Sequence, residues 1–265
     1  MEFKTLRFEV TEPGIGLLTL TRPERLNAIN LDMLEEFHAL YEELFSDRDV
    51  RVIILTGEGR GFCAGADILD QRMHQEAPEL YASAATFLIK VQKKYSNMIL
   101  EMKRLPQPII AAVRGPAAGG GMTMALASEI ILAAPSAKFI PSFINIGLSG
   151  GELGTTYFLP NLVGASRAAE ILLTGRAVQA EEAERIGLVS RVVPEDELLP
   201  RAYDLARVML TKSPMGLNQT KEALFQNLNA PSLEAAIELE NRNQSICAFT
   251  DSFRAAIDAF AQGKK

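Results

Sequence analysis

The sequence predicts an α/β fold in which buried strands alternate with amphipathic helices. Three observations predict it. Short apolar runs end in glycine-rich stretches, as parallel strands do where they enter loops. Helical patterns separate these runs, and the pattern after residue 193 is helical to the end. The 265 residues are enough for one such domain with a hydrophobic core of its own.

The N-terminal elements follow from local spacing. Residues 16–21 alternate in polarity and predict a strand, which Pro23 ends because proline cannot donate to a strand ladder. Between residues 31 and 45, apolar side chains recur at helical spacing. This pattern predicts an amphipathic helix with Asn30 or Asp32 as its N-cap.

The remaining elements alternate in the same way. Short apolar runs predict strands at residues 50–56, 109–113 and 130–134. Helical periodicity lies between and after these runs, and it predicts helices at residues 79–104, 122–128, 162–173, 180–185, 195–210, 214–225, 232–249 and 252–261.

The composition narrows the classes of function. A formal net charge of −6 without a run of Lys and Arg argues against a nucleic-acid surface, which needs clustered positive charge. No apolar run approaches the roughly 20 residues that span a bilayer, so no membrane partner is expected. Cys63 and Cys247 are far apart in a chain without a secretory leader. They predict a reducing, cytoplasmic location with neither a disulfide nor a thiolate metal site.

Three glycine-rich clusters, at residues 57–65, 115–121 and 147–154, lie where strands are expected to end. The first lacks the third glycine of the dinucleotide fingerprint, and none continues into the Gly-Lys-Ser/Thr of a P-loop. The triple glycine at 119–121 precedes a predicted helix whose first N–H groups are free, which suits a developing oxyanion. Alternatively, these glycines serve only tight turns and close packing.

Two motifs closely resemble the paired signature of the crotonase (enoyl-CoA hydratase/isomerase) superfamily: Phe-Cys-Ala-Gly-Ala-Asp-Ile at residues 62–68 and Gly-Pro-Ala-Ala-Gly-Gly-Gly at residues 115–121. The resemblance implies a ββα superhelix with a C-terminal helical region. Acyl-CoA binding and catalysis are then expected in residues 1–195, and a helical trimerisation region in residues 196–265. Assembly as a homotrimer or hexamer is also implied.

The resemblance implies roles for individual residues as well. The backbone N–H groups of Ala66 and Gly120 would form an oxyanion hole, which stabilises the enolate of an acyl thioester where water is excluded. Coenzyme A would enter as part of the substrate, with no separate cofactor and no metal. The residues expected to contact it are Ala64, Asp67 and Ile68 through their backbone near the adenine, Arg25 near the phosphates or else as an exposed loop arginine, and Phe260 with Lys264 or Lys265.

The choice of acid distinguishes the activities within this superfamily. Its hydratases use two carboxylates to position one water, and the matching residues here are Thr123, which is no base at neutral pH, and Phe143, which can only shape an apolar wall. Both are expected beside the substrate. Glu152 instead matches the acid of 3,2-enoyl-CoA isomerases. This match predicts isomerisation with Glu152 as the single acid/base, its pKa raised by burial.

Several alternatives remain open at this stage. Glu152 could recruit water in a hydratase or acyl-CoA hydrolase, it could be a solvated turn residue, or the protein could bind acyl-CoA without catalysis. Other residues have expected roles of less consequence: Glu129 in a structural ion pair, His38 in partly buried packing, Cys63 as a small buried side chain, His74 near the acyl pocket, and Tyr157 and Phe158 in the acyl pocket or the core.

Overall fold

The structure is a computed structural model that describes residues 3–262, and within that range it is a mixed α/β fold. The strands are β1 (Leu6–Glu12), β2 (Ile15–Leu20), β3 (Val52–Gly57), β4 (Ile109–Val113), β5 (Pro116–Ala118), β6 (Ile130–Ala133), β7 (Lys138–Ile140), β8 (Val178–Gln179) and β9 (Arg191–Val192). The helices are α1 (Leu31–Ser46), α2 (Gln71–Gln75), α3 (Ala77–Leu80), α4 (Ala84–Phe87), α5 (Lys93–Arg104), α6 (Gly120–Ala127), α7 (Thr155–Val163), α8 (Ala165–Thr174), α9 (Ala180–Arg185), α10 (Leu198–Leu210), α11 (Pro214–Asn227), α12 (Leu233–Ala248) and α13 (Asp251–Ala261).

The strands form two sheets. The larger has the order β1-β2-β3-β4-β6-β9 and is parallel except for the β1–β2 hairpin. The smaller has the order β5-β7-β8. Strands β3 and β4 are buried along their whole length, which explains why they read as continuous apolar runs in the sequence.

Successive turns of the chain repeat one pattern. A strand joins the larger sheet, the next strand joins the smaller sheet, and a helix follows, as in β4, β5 and α6. Strands β6 and β7, followed by α7 and α8, repeat it. Two isolated parallel bridges continue the pairing beside the smaller sheet: Cys63 pairs with Ala117 of β5, and Ala66 pairs with Ile29. This arrangement is the predicted ββα superhelix.

The large sheet is covered on both faces. One face belongs to the main core, and the other packs against α10, where Leu198, Ala202 and Ala206 are fully buried. The small residues at 202 and 206 allow the helix to approach β3 and β4 closely. Helix α10 is therefore part of the core, although it follows the expected boundary at residue 195, and that boundary stays a prediction.

The predicted helix at 31–45 is confirmed as α1, and Asn30 is its N-cap, because its side-chain oxygen accepts from the Met33 N–H at 2.9 Å. The expected helix at 79–104 is interrupted: Ser83 has an extended backbone and begins α4, and a π-helical turn over Leu88–Gln92 precedes α5. The expected helix at 162–173 is divided at Gly164, because its φ of +83° is incompatible with a continuous α-helix.

The expectation for His38 was wrong. Its side chain is 58% exposed and lies beside Glu101 and Glu42 rather than in the core. The buried face of α1 carries Phe37, Leu40 and Tyr41, whereas position 38 turns toward solvent. None of the helices within residues 3–262 combines the length and the apolar composition that crossing a membrane requires.

Glu129 belongs to a buried ion-pair cluster, as the sequence predicted. Its carboxylate pairs with Lys103 and with Lys221, whose Nζ lies 3.3 Å from Glu129 Oε2, and it accepts from the Ile109 N–H at 2.8 Å. Lys221 also donates to the Gln107 carbonyl at 2.8 Å. Burial lowers the pKa of Lys221 to about 8 in spite of Glu129. The cluster joins α11 to the start of β4.

We expect Glu129→Ala to lower the free energy of unfolding by about 3 kcal/mol, because Lys221 would be left buried without its carboxylate. Denaturant unfolding followed by circular dichroism measures the change. Glu195→Ala is the matched control, since that glutamate pairs with Arg114 at the surface, and we expect it to cost less than about 1 kcal/mol. Equal losses in the two variants would contradict this role for Glu129.

Candidate active site

One cavity of about 660 Å³ brings together most of the residues that the sequence singled out. Its walls come from the segments after β2 and β3, from helices α2 to α5, from the start of α6 and from the loop before α7. The predicted residues that line it are Arg25, Ala64, Ala66, Asp67, Ile68, Gly120, Phe143 and Glu152.

The backbone around Ala66 is held by pairing with Ile29. The Ile29 N–H donates to the Gly65 carbonyl at 2.7 Å, and the Asp67 N–H donates to the Ile29 carbonyl at 2.8 Å. In a parallel bridge of this kind, the N–H of the residue between the two bonded positions faces the opposite side. The Ala66 N–H therefore points away from Ile29, toward the strand on its other side.

That other side is β5 and the start of α6. The Ala118 N–H donates to the Cys63 carbonyl at 2.8 Å, and the two chains then separate because Gly119, with φ +50°, turns into the helix. Gly120 is the first residue of α6, so its N–H has no carbonyl acceptor within the helix. Within residues 3–262, neither the Ala66 nor the Gly120 N–H donates to another backbone group. Two free donors thus flank the point where the chains diverge.

The glycines at this point allow a very close approach of backbone to backbone. A Cβ on Gly65 would lie 2.7 Å from the Ala118 carbonyl oxygen and 3.4 Å from the Gly120 nitrogen. A Cβ on Gly121 would lie 2.2 Å from the Cys63 carbonyl oxygen. Gly65 also has φ +87°, which L side chains rarely adopt. These two glycines are required by packing, and the packing brings the two donors near each other.

An ion pair between Arg22 and Asp67 stabilises the same loop. Arg22 Nη2 donates to Asp67 Oδ2 at 2.8 Å, both side chains are largely buried, and Arg22 Nη1 donates to the Ala28 carbonyl. Asp67 Oδ1 accepts from the Leu69 N–H at 3.1 Å. The carboxylate of Asp67 is therefore committed to structure, and its contribution to the cavity comes from its backbone.

Glu152 reaches the cavity from the loop before α7. The Glu152 N–H donates to the Thr155 hydroxyl at 3.1 Å, and that hydroxyl donates to the Gly150 carbonyl at 2.9 Å. Leu153 adopts a left-handed conformation, with φ +52°, which is unusual for this residue type. Its side chain packs beside Gly120, where a Cβ would lie 3.5 Å from Leu153 Cδ1. The loop conformation thus places Glu152 next to the start of α6.

The surroundings of the Glu152 carboxyl group change its acidity. Burial is the largest effect and raises the pKa of Glu152, while a hydrogen bond from the side chain of Gln92 and one from the Leu153 N–H oppose that rise. The other two acids that line the cavity differ. Asp67 is paired with Arg22, and Glu24 lies exposed at the rim. Glu152 is therefore the lining carboxyl group whose surroundings favour proton exchange.

Apolar side chains form the rest of the wall. They include Leu69, Met73, Ala77, Tyr81, Phe87, Val91, Tyr95, Phe143, Ile146 and Leu148. Tyr95 donates through its hydroxyl to the Ile29 carbonyl at 3.0 Å, so it supports the bridge to Ala66. His74 also lines the cavity, and its Nδ1 lies 2.8 Å from the Asp70 carbonyl oxygen. Such a wall suits an acyl chain.

Thr123, which was expected beside the substrate, requires correction, whereas the expected contact of Phe260 with coenzyme A stays a prediction. Thr123 is fully buried outside the cavity lining, and its hydroxyl donates to the Gly119 carbonyl at 3.2 Å, because the packed side of α6 carries it away from the substrate space. Phe260 is 85% exposed on α13 and does not line the cavity of its own chain. Lys264 and Lys265, expected near coenzyme A, lie outside the described residues.

Two further expectations have clear outcomes. Tyr157 and Phe158 belong to the core, with their rings packed edge to face at 5.4 Å. Cys63 is buried, and burial raises the pKa of its thiol to about 12. Within residues 3–262, no group of three His, Cys, Asp or Glu side chains is placed to hold a metal ion.

Two residues of the site were missed by the sequence analysis. Arg22 directly precedes Pro23, which ends the first predicted strand, and a charged side chain at that position was a usable signal for a structural role. Gln92 carried no such signal. It lies in a segment that reads as ordinary helix, and only the π-helical turn and the fold bring it to Glu152.

Comparisons with known proteins identify the family of this chain. The sequence profile of the enoyl-CoA hydratase/isomerase family matches residues 10–265. A Mycobacterium bovis protein named "Probable enoyl-CoA hydratase" is 43% identical over 96% of this chain and 89% of its own length. The chain therefore belongs to the enoyl-CoA hydratase/isomerase family, in the crotonase superfamily, and is an acyl-CoA enzyme of that family.

Solved structures show the same fold. An enoyl-CoA hydratase/isomerase from Cupriavidus metallidurans CH34 superposes with a TM-score of 0.89 and 32% identity, covering 100% of this chain and 96% of that chain. A monofunctional enoyl-CoA isomerase from M. smegmatis has 40% identity and a TM-score of 0.72, covering 88% of this chain and 98% of that one.

We expect Gly65→Ala to lower the free energy of unfolding by about 3 kcal/mol, because the new Cβ meets the Ala118 carbonyl and the backbone keeps a positive φ. Gly147→Ala is the matched control. Gly147 has a similar φ of +84° but open space around its Cβ position, so we expect a loss of about 1 kcal/mol. Thermal or denaturant unfolding gives both values, and losses of the same size would contradict the importance of the close approach.

Proposed function

We propose that this protein is a 3,2-enoyl-CoA isomerase in which Glu152 is the single acid/base. The observation that carries the proposal is the placement of one partly buried carboxyl group, with a raised pKa, in the same cavity as the free N–H groups of Ala66 and Gly120. A base and two oxyanion donors are the groups that enolate chemistry requires.

The reaction follows from these positions. The ionised Glu152 takes a proton from C2 of a 3-enoyl thioester, and the C2–H electron pair forms a C1–C2 double bond as the thioester oxygen becomes negative. The N–H groups of Ala66 and Gly120 stabilise that oxygen. The dienolate then takes the proton from Glu152 at C4, and the double bond moves from C3–C4 to C2–C3. No net proton or electron is gained or lost.

The coenzyme A part of the substrate would lie along the rim. The backbone of Ala64, Asp67 and Ile68 would face the adenine, and the exposed Arg25 guanidinium suits the phosphates. Phe143 would shape the apolar wall beside the acyl group. Phe260 lies away from its own cavity, so its contact with coenzyme A would need another copy of the chain, as in the proposed homotrimer or hexamer.

Hydration, or hydrolysis of the thioester, is the second candidate. It is favoured by the name of the Mycobacterium bovis relative, whereas the name of the M. smegmatis structure favours isomerisation. Two observations support isomerisation in this chain. The hydroxyl of Thr123 bonds to Gly119 outside the cavity, and Phe143 presents only carbon atoms, so neither position supplies a second acid for an attacking water.

We expect Glu152→Gln to lower isomerisation of a 3-enoyl-CoA by at least about 10²-fold, because the amide cannot accept the C2 proton. Chromatography of the products from 3-enoyl-CoA and 2-enoyl-CoA distinguishes migration of the double bond from addition of water. Titration of acyl-CoA into the variant should show that binding is retained. Addition of water without migration in the wild type would overturn the isomerase proposal, and full activity of the variant would exclude Glu152 as the catalyst.

We also expect a characteristic pH dependence. The base must be ionised, so kcat/KM should fall as the pH decreases through the pKa of Glu152. Because burial raises that pKa, the fall should occur at a pH above the ordinary glutamate value of about 4.3. Initial rates between pH 4.5 and 9, with enzyme stability checked at each pH, measure the acidic limb of the kcat/KM profile. A flat profile down to the ordinary glutamate range would contradict the raised pKa.

A further inference from the structure

Gln92 is the side chain that contacts the Glu152 carboxyl group most directly. Its Nε2 donates a hydrogen bond to Glu152 Oε1, although the two residues are 60 positions apart in the sequence. Both side chains are partly buried, and both line the cavity. A hydrogen bond of this kind inside a mostly apolar wall constrains the orientation of the carboxyl group.

The backbone that carries Gln92 is unusual. It is the last residue of the π-helical turn over Leu88–Gln92, which lies between α4 and α5. A π turn bonds residues five apart, so Phe87 and Gln92 come to one side of the helix, and both line the cavity together with Val91. In an uninterrupted α-helix, which has about 3.6 residues per turn, the side chains of Phe87 and Gln92 would point in different directions. The π turn thus places Phe87 in the cavity wall and also brings Gln92 to Glu152.

The chemistry of the amide gives the contact a direction. An amide N–H can donate but cannot accept, so the bond is strongest when Glu152 is ionised. A donor on Oε1 disfavours protonation of that oxygen and leaves Oε2 as the better site for a proton. The bond also opposes the effect of burial on the pKa of Glu152. The bond therefore orients the ionised form of the base.

We propose that Gln92 is a positioning residue for Glu152: it holds the carboxylate through Oε1 so that Oε2 takes the proton from C2 and returns it at C4. This inference rests on the proposed isomerisation. Within it, Gln92 touches neither the proton nor the thioester oxygen and acts only through the carboxyl group of Glu152. Its loss should therefore affect turnover rather than the binding of substrate.

Gln92→Met tests the proposal, because methionine has nearly the same length and removes the donor. We expect kcat for 3-enoyl-CoA to fall about tenfold, with KM changed less than about twofold. Without the donor the pKa of Glu152 should rise further, so the fall of kcat/KM at acidic pH should move to higher pH. Gln92→Ala repeats the measurement without a large side chain, and the unfolding midpoint of each variant shows whether it is folded.

The chain provides a matched control. Gln226 Nε2 donates to Glu222 Oε1 at 2.9 Å on the exposed face of α11, so Gln226→Met removes the same kind of bond outside the cavity. We expect its kcat, KM and pH limb to equal those of the wild type. A purely structural effect of losing such a bond would change the two unfolding midpoints alike and leave the pH limb of both variants in place.

A double variant separates the outcomes. In a Glu152→Gln background, Gln92→Met should lower the residual rate no further, because its effect passes through the carboxylate. If Glu152→Gln abolishes isomerisation while folded Gln92→Met and Gln92→Ala keep the wild-type kcat and pH limb, the positioning role is overturned and the isomerase proposal stands. If Glu152→Gln is fully active, the proposed function itself fails.

Discussion

The pairing of Ile29 with the loop at Gly65 and Asp67 is the constraint on which the rest of the site depends. Its two backbone hydrogen bonds determine the direction in which the Ala66 N–H points. On the other edge of the loop, Cys63 pairs with β5, and the two chains separate only at Gly119. The free N–H groups are therefore a product of strand pairing that stops at a defined residue, and no dedicated side chain has to supply them.

Several neighbouring residues stabilise this pairing. The buried Arg22–Asp67 ion pair holds the loop at one end, and the Tyr95 hydroxyl holds the Ile29 carbonyl. Side chains at 65 and 121 would push the strands apart, which explains glycine at both positions. A donor pair fixed in this way costs no reorganisation when negative charge develops between its members. Rigid surroundings are thus part of the proposed chemistry.

The carboxyl group of Glu152 is governed by two opposing effects. Burial in an apolar wall favours the neutral acid, whereas the donors from Gln92 and the Leu153 N–H favour the anion. A group that must both take and return a proton benefits from a pKa raised toward the working pH, and burial shifts Glu152 in that direction. The left-handed backbone at Leu153 shows that the loop accepts local strain to hold this position.

Local patterns in the sequence were sufficient for much of the fold. The helix expected at 31–45 follows from spacing, and its N-cap, left open between Asn30 and Asp32, is Asn30 in the structure. The buried strands β3, β4 and β6 follow from apolar runs. The helix expected at 79–104 failed because periodicity reports which faces are apolar, and a π turn changes the facing of residues without changing their composition. Short strands such as β5 were missed because three residues carry no periodic signal.

By itself, the sequence determined the family, the two motifs that carry Ala66 and Gly120, and the candidate acid at Glu152, because these depend on residue identity within short segments. Only the tertiary structure decided which side chains meet. It placed Gln92 against Glu152 and turned Thr123 away from the cavity, and it left Phe260 exposed. The physical reason is that contacts between distant segments depend on how whole elements pack, and that packing is a property of the folded chain rather than of any local pattern.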